Sequence, residues 1–536
     1  MKNQYIELQE KLFYITIITL PISHFIHSIK VYLGYMTTKL SIFFVILGLL
    51  VWAADVIKNK KQIYVPKYFW IWIVLLYGVS ITSIAYNLQF LDYTLLNNDK
   101  LDTVMRIFPV LNNIDYAVGS KLLYFIRVGK TVIINAFFTF GCALWVYNLF
   151  YHDYKKGVVL FRNAMVGIFC VFTLYAILET AYIMNCQWGA DALKAINPYL
   201  YPIAQNYGWH PPLLWKNQMR LIFPEPSNIG LFLGAVMPLA FMAMLSIKKN
   251  CKYIGAFAVA AYSYFVFMSQ ARTAYVMLLF AVILFTSVLF IKRKRISGNA
   301  FIVCLATWLC VVIGFGGYYT VHNIVLSNTL SSKQTIQSTR GGQLTEKPTA
   351  KSAKPSNKKV AKKIISKAID DNLLSVASGN KRSNTARYGV IKSELAMGAD
   401  HWLLGVGREN TKYYFEKYMP KENLKSGEIR MWIRQLHEKQ WKSSYPMLNE
   451  YTRRFAKDGI GGLVLFVMPF FFAIWKLWKR LLYENSNLWQ DYAIVFMGLV
   501  ICVVSWLGNT ANTFYLPYVL LGLGYAMCFG QKKQGL

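Results

Sequence analysis

SQARTAYVMLLFAVILFTSVLFIKRKR, residues 269–295, is the stretch that decides the fold. Between Arg272 and Lys292 the chain runs from Thr273 to Ile291 without a charge. At 1.5 Å per residue, a helix of that length approaches the roughly 30 Å of a bilayer's hydrocarbon core. A short polar turn precedes it, and Lys292-Arg293-Lys294-Arg295 follows it. Such a basic cluster beside an apolar run marks a cytoplasmic loop.

Outward from this stretch the pattern recurs. Apolar runs of spanning length fall near 12–29, 40–57, 68–86, 131–150, 158–184, 221–246, 253–268, 299–319, 459–478, 489–507 and 513–529. Transmembrane β-strands would instead give segments of about ten residues with alternating polarity. An all-α, polytopic helical bundle of about 12 transmembrane helices is predicted. The first run carries Pro21, His24 and His27 with no small-residue cleavage site after it, so it is expected to be a retained helix. Lys58–Lys61, Lys155-Lys156, Lys248-Lys249, Lys292–Arg295, Lys476 with Lys479-Arg480, and Lys532-Lys533 all fall on one side if the N-terminus is inside. The N-in, C-in topology follows from that agreement.

Composition fits. The chain has 536 residues, 55% hydrophobic, with a formal net charge of +33. Part of that charge is the inside bias, which holds loops against anionic headgroups of membrane lipids. Much of the rest lies between Thr320 and Asp458, in one large extracytoplasmic loop. Nucleic acid is an unattractive partner, because that loop faces away from the cytoplasm and carries no recognition motif. The eight cysteines form no Cys-x-x-Cys, and the seven histidines show no metal-ligand spacing, so no metal site or cofactor is expected.

Three sections follow: helices and short outer loops over 1–319, the loop over 320–457, and helices again over 458–536. Within the loop, 331–367 is rich in Ser, Lys, Thr and Gln and is expected to be disordered, since it cannot bury enough apolar surface. Residues 370–457 bring back aromatics and helical periodicity, and are expected to fold as helices.

Four constellations could carry chemistry. RLIFPEPSNIG, 220–230, sets Arg220 and Glu225 in an irregular turn, because Pro224 and Pro226 disfavour helix in the residues before them. SQART, 269–273, places Arg272 at or just under the interface, where an unpaired cation is costly. TARYGVIKSELAMGADHWLLGVGREN, 385–410, opens a helix with Arg387 and ends it on Gly405-Val406-Gly407, which permits positive φ. PMLNEYTRRFAKDGIGGLVLF, 446–466, puts Asn449, Glu450 and Arg453 at helical spacing before an apolar run. The plain alternatives are interfacial arginines reaching lipid phosphate, and Glu–Arg pairs satisfied within one helix. All four groups, with Arg127 and Lys130 at the outer mouth of the fourth helix, share the outer side. Guanidinium groups converging there suit a multiply charged phosphate, which they grip bidentately. A carboxylate among them could act as base.

Other chemistries are disfavoured. VGKT at 128–131 has Tyr124 where a phosphate-binding loop needs glycine, and there is neither an Asp-x-Asp nor a His-Glu-x-x-His. A transporter would carry charges deep in its helices, whereas Asp55, Arg162 and Glu179 fall near helix ends.

Three patches resemble the bacterial O-antigen polymerase and O-antigen ligase superfamily, which includes the Wzy-type repeat-unit polymerases: SQARTAYVMLL, RYGVIKSELAMGADHWLLGVG and LNEYTRRFAKDGIGGLVLF. FPEPSNIG is similar to a Glu-Pro turn in polymerases of the group. Leu448 stands where the ligases of the family carry a histidine, which favours a polymerase over a ligase. The resemblance implies a metal-independent membrane glycosyltransferase of the bacterial cytoplasmic membrane, active on the non-cytoplasmic face. It would move a glycan from undecaprenyl diphosphate to the non-reducing end of another lipid-linked unit, in capsule, exopolysaccharide or O-antigen synthesis, with a chain-length regulator as a further partner. It implies Arg272 and Arg387 as diphosphate ligands and Glu225 as base. Arg220, Arg127, Asn449, Glu450, Arg453, Gly405 and Gly407 are the remaining substrate-binding candidates, with Glu450 as the other carboxylate that could be the base.

Overall fold

In a computed structural model, helix is present within each of the apolar runs, over the described residues. Residues 4–22, 39–96, 101–107, 114–200, 213, 217–296, 300–340, 382–438, 448–484, 486, 488–511 and 513–531 are described. His24 and His27, with 341–367 of the stretch expected to be disordered, lie outside them. The helices are α1 Gln4–Thr19, α2 Leu40–Asn59, α3 Phe69–Asn87, α4 Tyr116–Leu149, α5 Tyr154–Ile183, α6 Gln187–Leu200, α7 Asn228–Met244, α8 Lys249–Ser269, α9 Arg272–Ile291 and α10 Ala300–Arg340. Further along the chain come α11 Arg382–Asp400, α12 Thr411–Tyr418, α13 Gly427–His437, α14 Glu450–Tyr483, α15 Trp489–Ser505 and α16 Leu516–Phe529.

The protein is an all-α, multi-pass membrane protein. Among the described residues, α2, α3, α4, α5, α8, α9, α10 and α14 contain segments long and apolar enough to cross a bilayer. α7, α15 and α16 are apolar but shorter. Several boundaries differ from the sequence expectation; α1 begins at Gln4, α4 at Tyr116 and α7 at Asn228, against runs expected from 12, 131 and 221. α10 continues to Arg340, ten residues into the stretch expected to be disordered, and α14 begins at Glu450, inside the expected loop. In both cases the helix carries its backbone pairing beyond the apolar run, so hydropathy alone stops short of the true end.

The chain divides into two units. One comprises residues 1–21, 28–166 and 380–536, and so holds α1 to α4, the start of α5, and α11 to α16. Its centre is aromatic. Phe140, in a π-helical turn at Phe137–Gly141 within α4, has its ring 5.4 Å from Tyr518 and 6.1 Å from Phe470. α15 and α16 are apolar all round and buried on nearly every residue, as expected of central helices. Between the spans α11, α12 and α13 form a satellite core on Ala386, Val390, Met397, Val406, Phe415, Met419, Ile429 and Ala456. The other unit comprises 22–27 and 167–379; α7, α9 and α10 pack around α8 there, with Phe241 and Phe285 stacked at 4.3 Å.

Candidate functional site

The last two sequence constellations come together in the first unit, and a glycine makes the meeting possible. Gly459 has φ 67° and ψ −171°, a conformation open in practice to glycine alone, and it breaks α14 between Asp458 and Ile460. A Cβ there would lie 2.3 Å from the Leu403 carbonyl. The break diverts the Ile460 N–H to the Trp402 carbonyl at 2.8 Å. The carbonyls of Ala456 and Lys457 are then taken by the N–H groups of Val406 (2.8 Å) and Gly407 (3.0 Å). So close an approach excludes a side chain at Gly405, whose φ is +66° and whose Cβ would sit 2.5 Å from the Ala456 oxygen. From α3, the Ser83 hydroxyl donates to the carbonyls of Leu404 and Lys457, and Asn87 Nδ2 donates to that of Gly405 at 3.0 Å. The Ile460 N–H and the Ala456 and Lys457 carbonyls therefore find partners across the break.

Around this joint lies a buried cluster of charge. Glu450 is fully enclosed; its carboxylate accepts from Arg453 Nη1 at 2.9 Å, Arg454 Nε at 2.7 Å and the Ala511 N–H at 3.2 Å. Arg454 also reaches Asp458 Oδ2 at 3.3 Å and lies 4.2 Å over the Phe466 ring. Lys457 Nζ stands 3.9 Å from Glu409. On α11, Glu394 accepts from the Thr452 hydroxyl at 2.6 Å. Burial pushes the Glu394 carboxyl up to about 7, against the pull of Thr452 and the nearby cations.

Arg408, which follows the Gly-Val-Gly turn, is 3% exposed. Among the described residues it has no hydrogen bond and no ion pair within 4 Å. Burial holds its pKa below the usual range, with Arg454 adding to the effect. Next to it Glu409 is in the left-handed region at φ 68°, strained for a residue other than glycine. Lys457 holds the Glu409 carboxyl below the ordinary carboxylate range. Arg453 Nε, Asp458 Oδ1 and Glu394 Oε1 are buried and without partners among the described residues. A cluster of four buried basic groups, one of them an arginine with no ion pair within 4 Å among the described residues, can accept an external anion.

The residues expected from sequence fall in different settings. Asn449 is the cap of α14, its side chain accepting from the N–H groups of Tyr451 (2.9 Å) and Thr452 (3.2 Å). Glu450 and Arg453 are in the cluster, and Gly405 and Gly407 form its turn. Arg387 is exposed on α11, the helix that packs on the start of α14. Arg127 is partly exposed on α4, close enough to Tyr413 to oppose the rise of its pKa to about 12 by burial and by Glu409.

Arg220, Glu225 and Arg272 belong to the other unit, where the first two constellations adjoin. The Met219 N–H donates to the Met268 carbonyl at 3.0 Å, and Gln270 Nε2 donates to the Asn217 carbonyl at 3.0 Å. Arg220 is fully buried. Its N–H and that of Leu221 converge on the Glu179 carboxylate, at 3.2 and 2.8 Å. Glu225 is exposed, accepting from the Ser227 hydroxyl at 3.3 Å, and Arg272 opens α9 partly exposed.

Comparison with known proteins adds the decisive observation. The O-antigen ligase family model matches residues 257–437. That match supports a likeness to the O-antigen polymerase and ligase superfamily. The match covers about a third of the chain and takes in the Arg272 turn, the Arg387 helix and the Gly-Val-Gly turn with Arg408. No curated protein and no solved structure matches the chain.

Arg408, Lys457, Asp458, Glu394 and Glu409 were missed in the sequence. A signal existed for Glu394, a lone carboxylate on the apolar face made by Ala386, Val390 and Met397. Arg408 stands directly after the turn, but nothing in its local sequence marks it as buried.

Proposed function

We propose that this protein processes lipid-linked glycans in a bacterial cytoplasmic membrane, and that it polymerises oligosaccharide repeat units. A hydroxyl on the non-reducing-end sugar of one lipid-linked unit attacks the anomeric carbon of a second glycan. The new glycosidic bond forms as the bond to undecaprenyl diphosphate breaks; the electron pair leaves on the diphosphate, and the hydroxyl proton passes to a carboxylate. The donor itself carries the energy of the transfer.

The observation that carries this reading is Arg408, a buried arginine with no ion pair within 4 Å among the described residues, set by the Gly-Val-Gly turn inside the family-matched stretch. A guanidinium in that state suits a leaving group that gains negative charge. Arg453 beside it is proposed as a second phosphate ligand. Arg387, in the same unit, remains a proposed ligand from the resemblance, which also implies Arg272 and Arg220 as phosphate ligands within their own unit. The resemblance implies Glu225, exposed and lightly bonded in the other unit, as the base; within the Arg408 unit Glu450 already accepts from two guanidinium groups and an N–H.

A ligase is the second reading, favoured by the description of the matched family as O-antigen ligase. Against it, Leu448 occupies the family's histidine position and packs on the satellite core. A strain lacking the protein separates the two. Loss of long polymer with single units retained is the polymerase outcome; long polymer left on its lipid carrier is the ligase outcome and would overturn the preferred reading.

A further inference from the structure

The far end of α14 forms a second cationic feature, unrelated to the cluster at its start. Lys476, Lys479, Arg480, Tyr483 and Glu484 line a cleft of about 360 Å³ together with Cys528 and Phe529 at the end of α16. Three cations meet one carboxylate there. None of the three has an ion pair within 4 Å among the described residues. Glu484 accepts from the Ser486 N–H (3.0 Å) and hydroxyl (2.6 Å).

The cations are held by other means. Arg480 Nη2 donates to the Cys528 carbonyl at 3.4 Å, which fixes the guanidinium across the mouth of the cleft. Lys476 Nζ lies 4.9 Å from the Trp475 ring centre, 5.5 Å from Phe472 and 5.8 Å from Phe529, and Lys479 Nζ lies 4.1 Å from Trp475. Ammonium groups over aromatic faces keep their charge without a carboxylate partner. The rings that hold them continue down the span: Trp475 and Phe471 are exposed, where acyl chains would lie, and Tyr483 is 79% exposed at the tip. Tryptophan and tyrosine with lysine just beyond is the composition of a span reaching the headgroup layer.

We infer that this cleft binds the phosphate headgroup of an anionic membrane phospholipid, with the exposed Trp475 and Phe471 faces against its chains. Loose electrostatic attraction of a basic loop needs no cleft. Here the guanidinium is tied to a carbonyl, the lysines are tied to rings, and the apolar shelf is continuous with the membrane-spanning surface, which selects a lipid over a soluble phosphate.

The test uses the full-length protein purified in detergent, with lipid binding followed by native mass spectrometry. Phosphatidylglycerol is titrated against phosphatidylcholine for the wild type, for K476Q/K479Q/R480Q, and for R293Q/K294Q/R295Q, which removes three cations from another loop. A cation near an anionic surface is worth about fivefold, so the first triple variant is expected to lose phosphatidylglycerol affinity by on the order of a hundredfold. The 293–295 variant should bind like the wild type. Equal losses in both variants, or no loss in either, would overturn the inference. So would displacement of the lipid by millimolar inorganic phosphate, which would make the occupant a soluble anion. Should the triple variant fail to fold, R480Q and K479Q alone change only exposed side chains and are each expected to lose about fivefold.

Discussion

The two ends of α14 hold their charges in opposite ways. At the Glu450 end, Arg453 and Arg454 are buried and share a carboxylate, and Asp458 takes a second hydrogen bond from Arg454. At the Tyr483 end, Lys479 and Arg480 are exposed and Lys476 half-buried, with rings and a carbonyl in place of carboxylates. Burial explains the difference. An enclosed guanidinium without an anion is costly, whereas an exposed ammonium keeps its water and needs none. Arg408 departs from this rule at the first end: it is buried with no direct ion pair among the described residues, which is why it ranks as the candidate for binding an anion from outside.

The largest effect that would sharpen this contrast is expected at the break in the helix. Gly459→Ala must place a Cβ against the Leu403 carbonyl in a glycine-only conformation, and should cost about 3 kcal/mol or more. A thermal melt of the purified protein close to wild type would mean that the joint does not depend on the break. Glu450→Gln comes next: it leaves Arg453 without its ion pair and Arg454 with Asp458 alone, with an expected loss of about 3 kcal/mol. Lys479→Gln, at the other end, should shift the same melt by no more than about 0.5 kcal/mol. Similar losses at both ends would break the comparison.

Activity should divide the arginines differently from stability. Arg408→Gln removes an unpaired buried charge, so the melt should hold or rise while elongation falls by roughly a hundredfold or more. Lost stability together with lost activity would reassign Arg408 to the fold. Arg387→Ala, on an exposed position of α11, is expected to abolish elongation with folding and insertion intact; wild-type chain lengths would remove Arg387 from the site.

Stability should also depend on pH. Glu394 ionises near 4.5 when unfolded and near 7 when buried. Its raised pKa favours the fold while the carboxyl is protonated, so the contribution is fully present below about 4.5 and is lost as pH rises to about 7. Glu394→Gln should flatten that slope in melts taken between those values, and an unchanged slope would mean another group titrates.

Much of the architecture was legible in the sequence because membrane spans are written in contiguous apolar length. The stretch from Thr273 to Ile291 became α9 almost residue for residue, and Gly405 with Gly407 read correctly as a positive-φ turn. The site was less legible. Asn449 has the composition of a ligand and the geometry of a helix cap, and only its bonds to Tyr451 and Thr452 tell the two apart. Lys457 and Arg408 are separated by nearly fifty residues and meet only because Gly459 lets one backbone lie against another. Burial produced by such long-range packing leaves no local periodicity to detect. The Tyr483 end shows the converse: Lys476, Lys479 and Arg480 read as a basic loop, and their cleft exists only because α16 ends beside them.

The central claim is that this protein joins lipid-linked repeat units, and the most direct measurement is elongation in vitro. Purified full-length protein is incubated with a defined undecaprenyl-diphosphate-linked repeat unit, and the products are resolved by chain length. A ladder of longer lipid-linked glycans, with undecaprenyl diphosphate released in step, is the predicted result. Absence of any ladder, with single units passed intact to a separate acceptor, would contradict it.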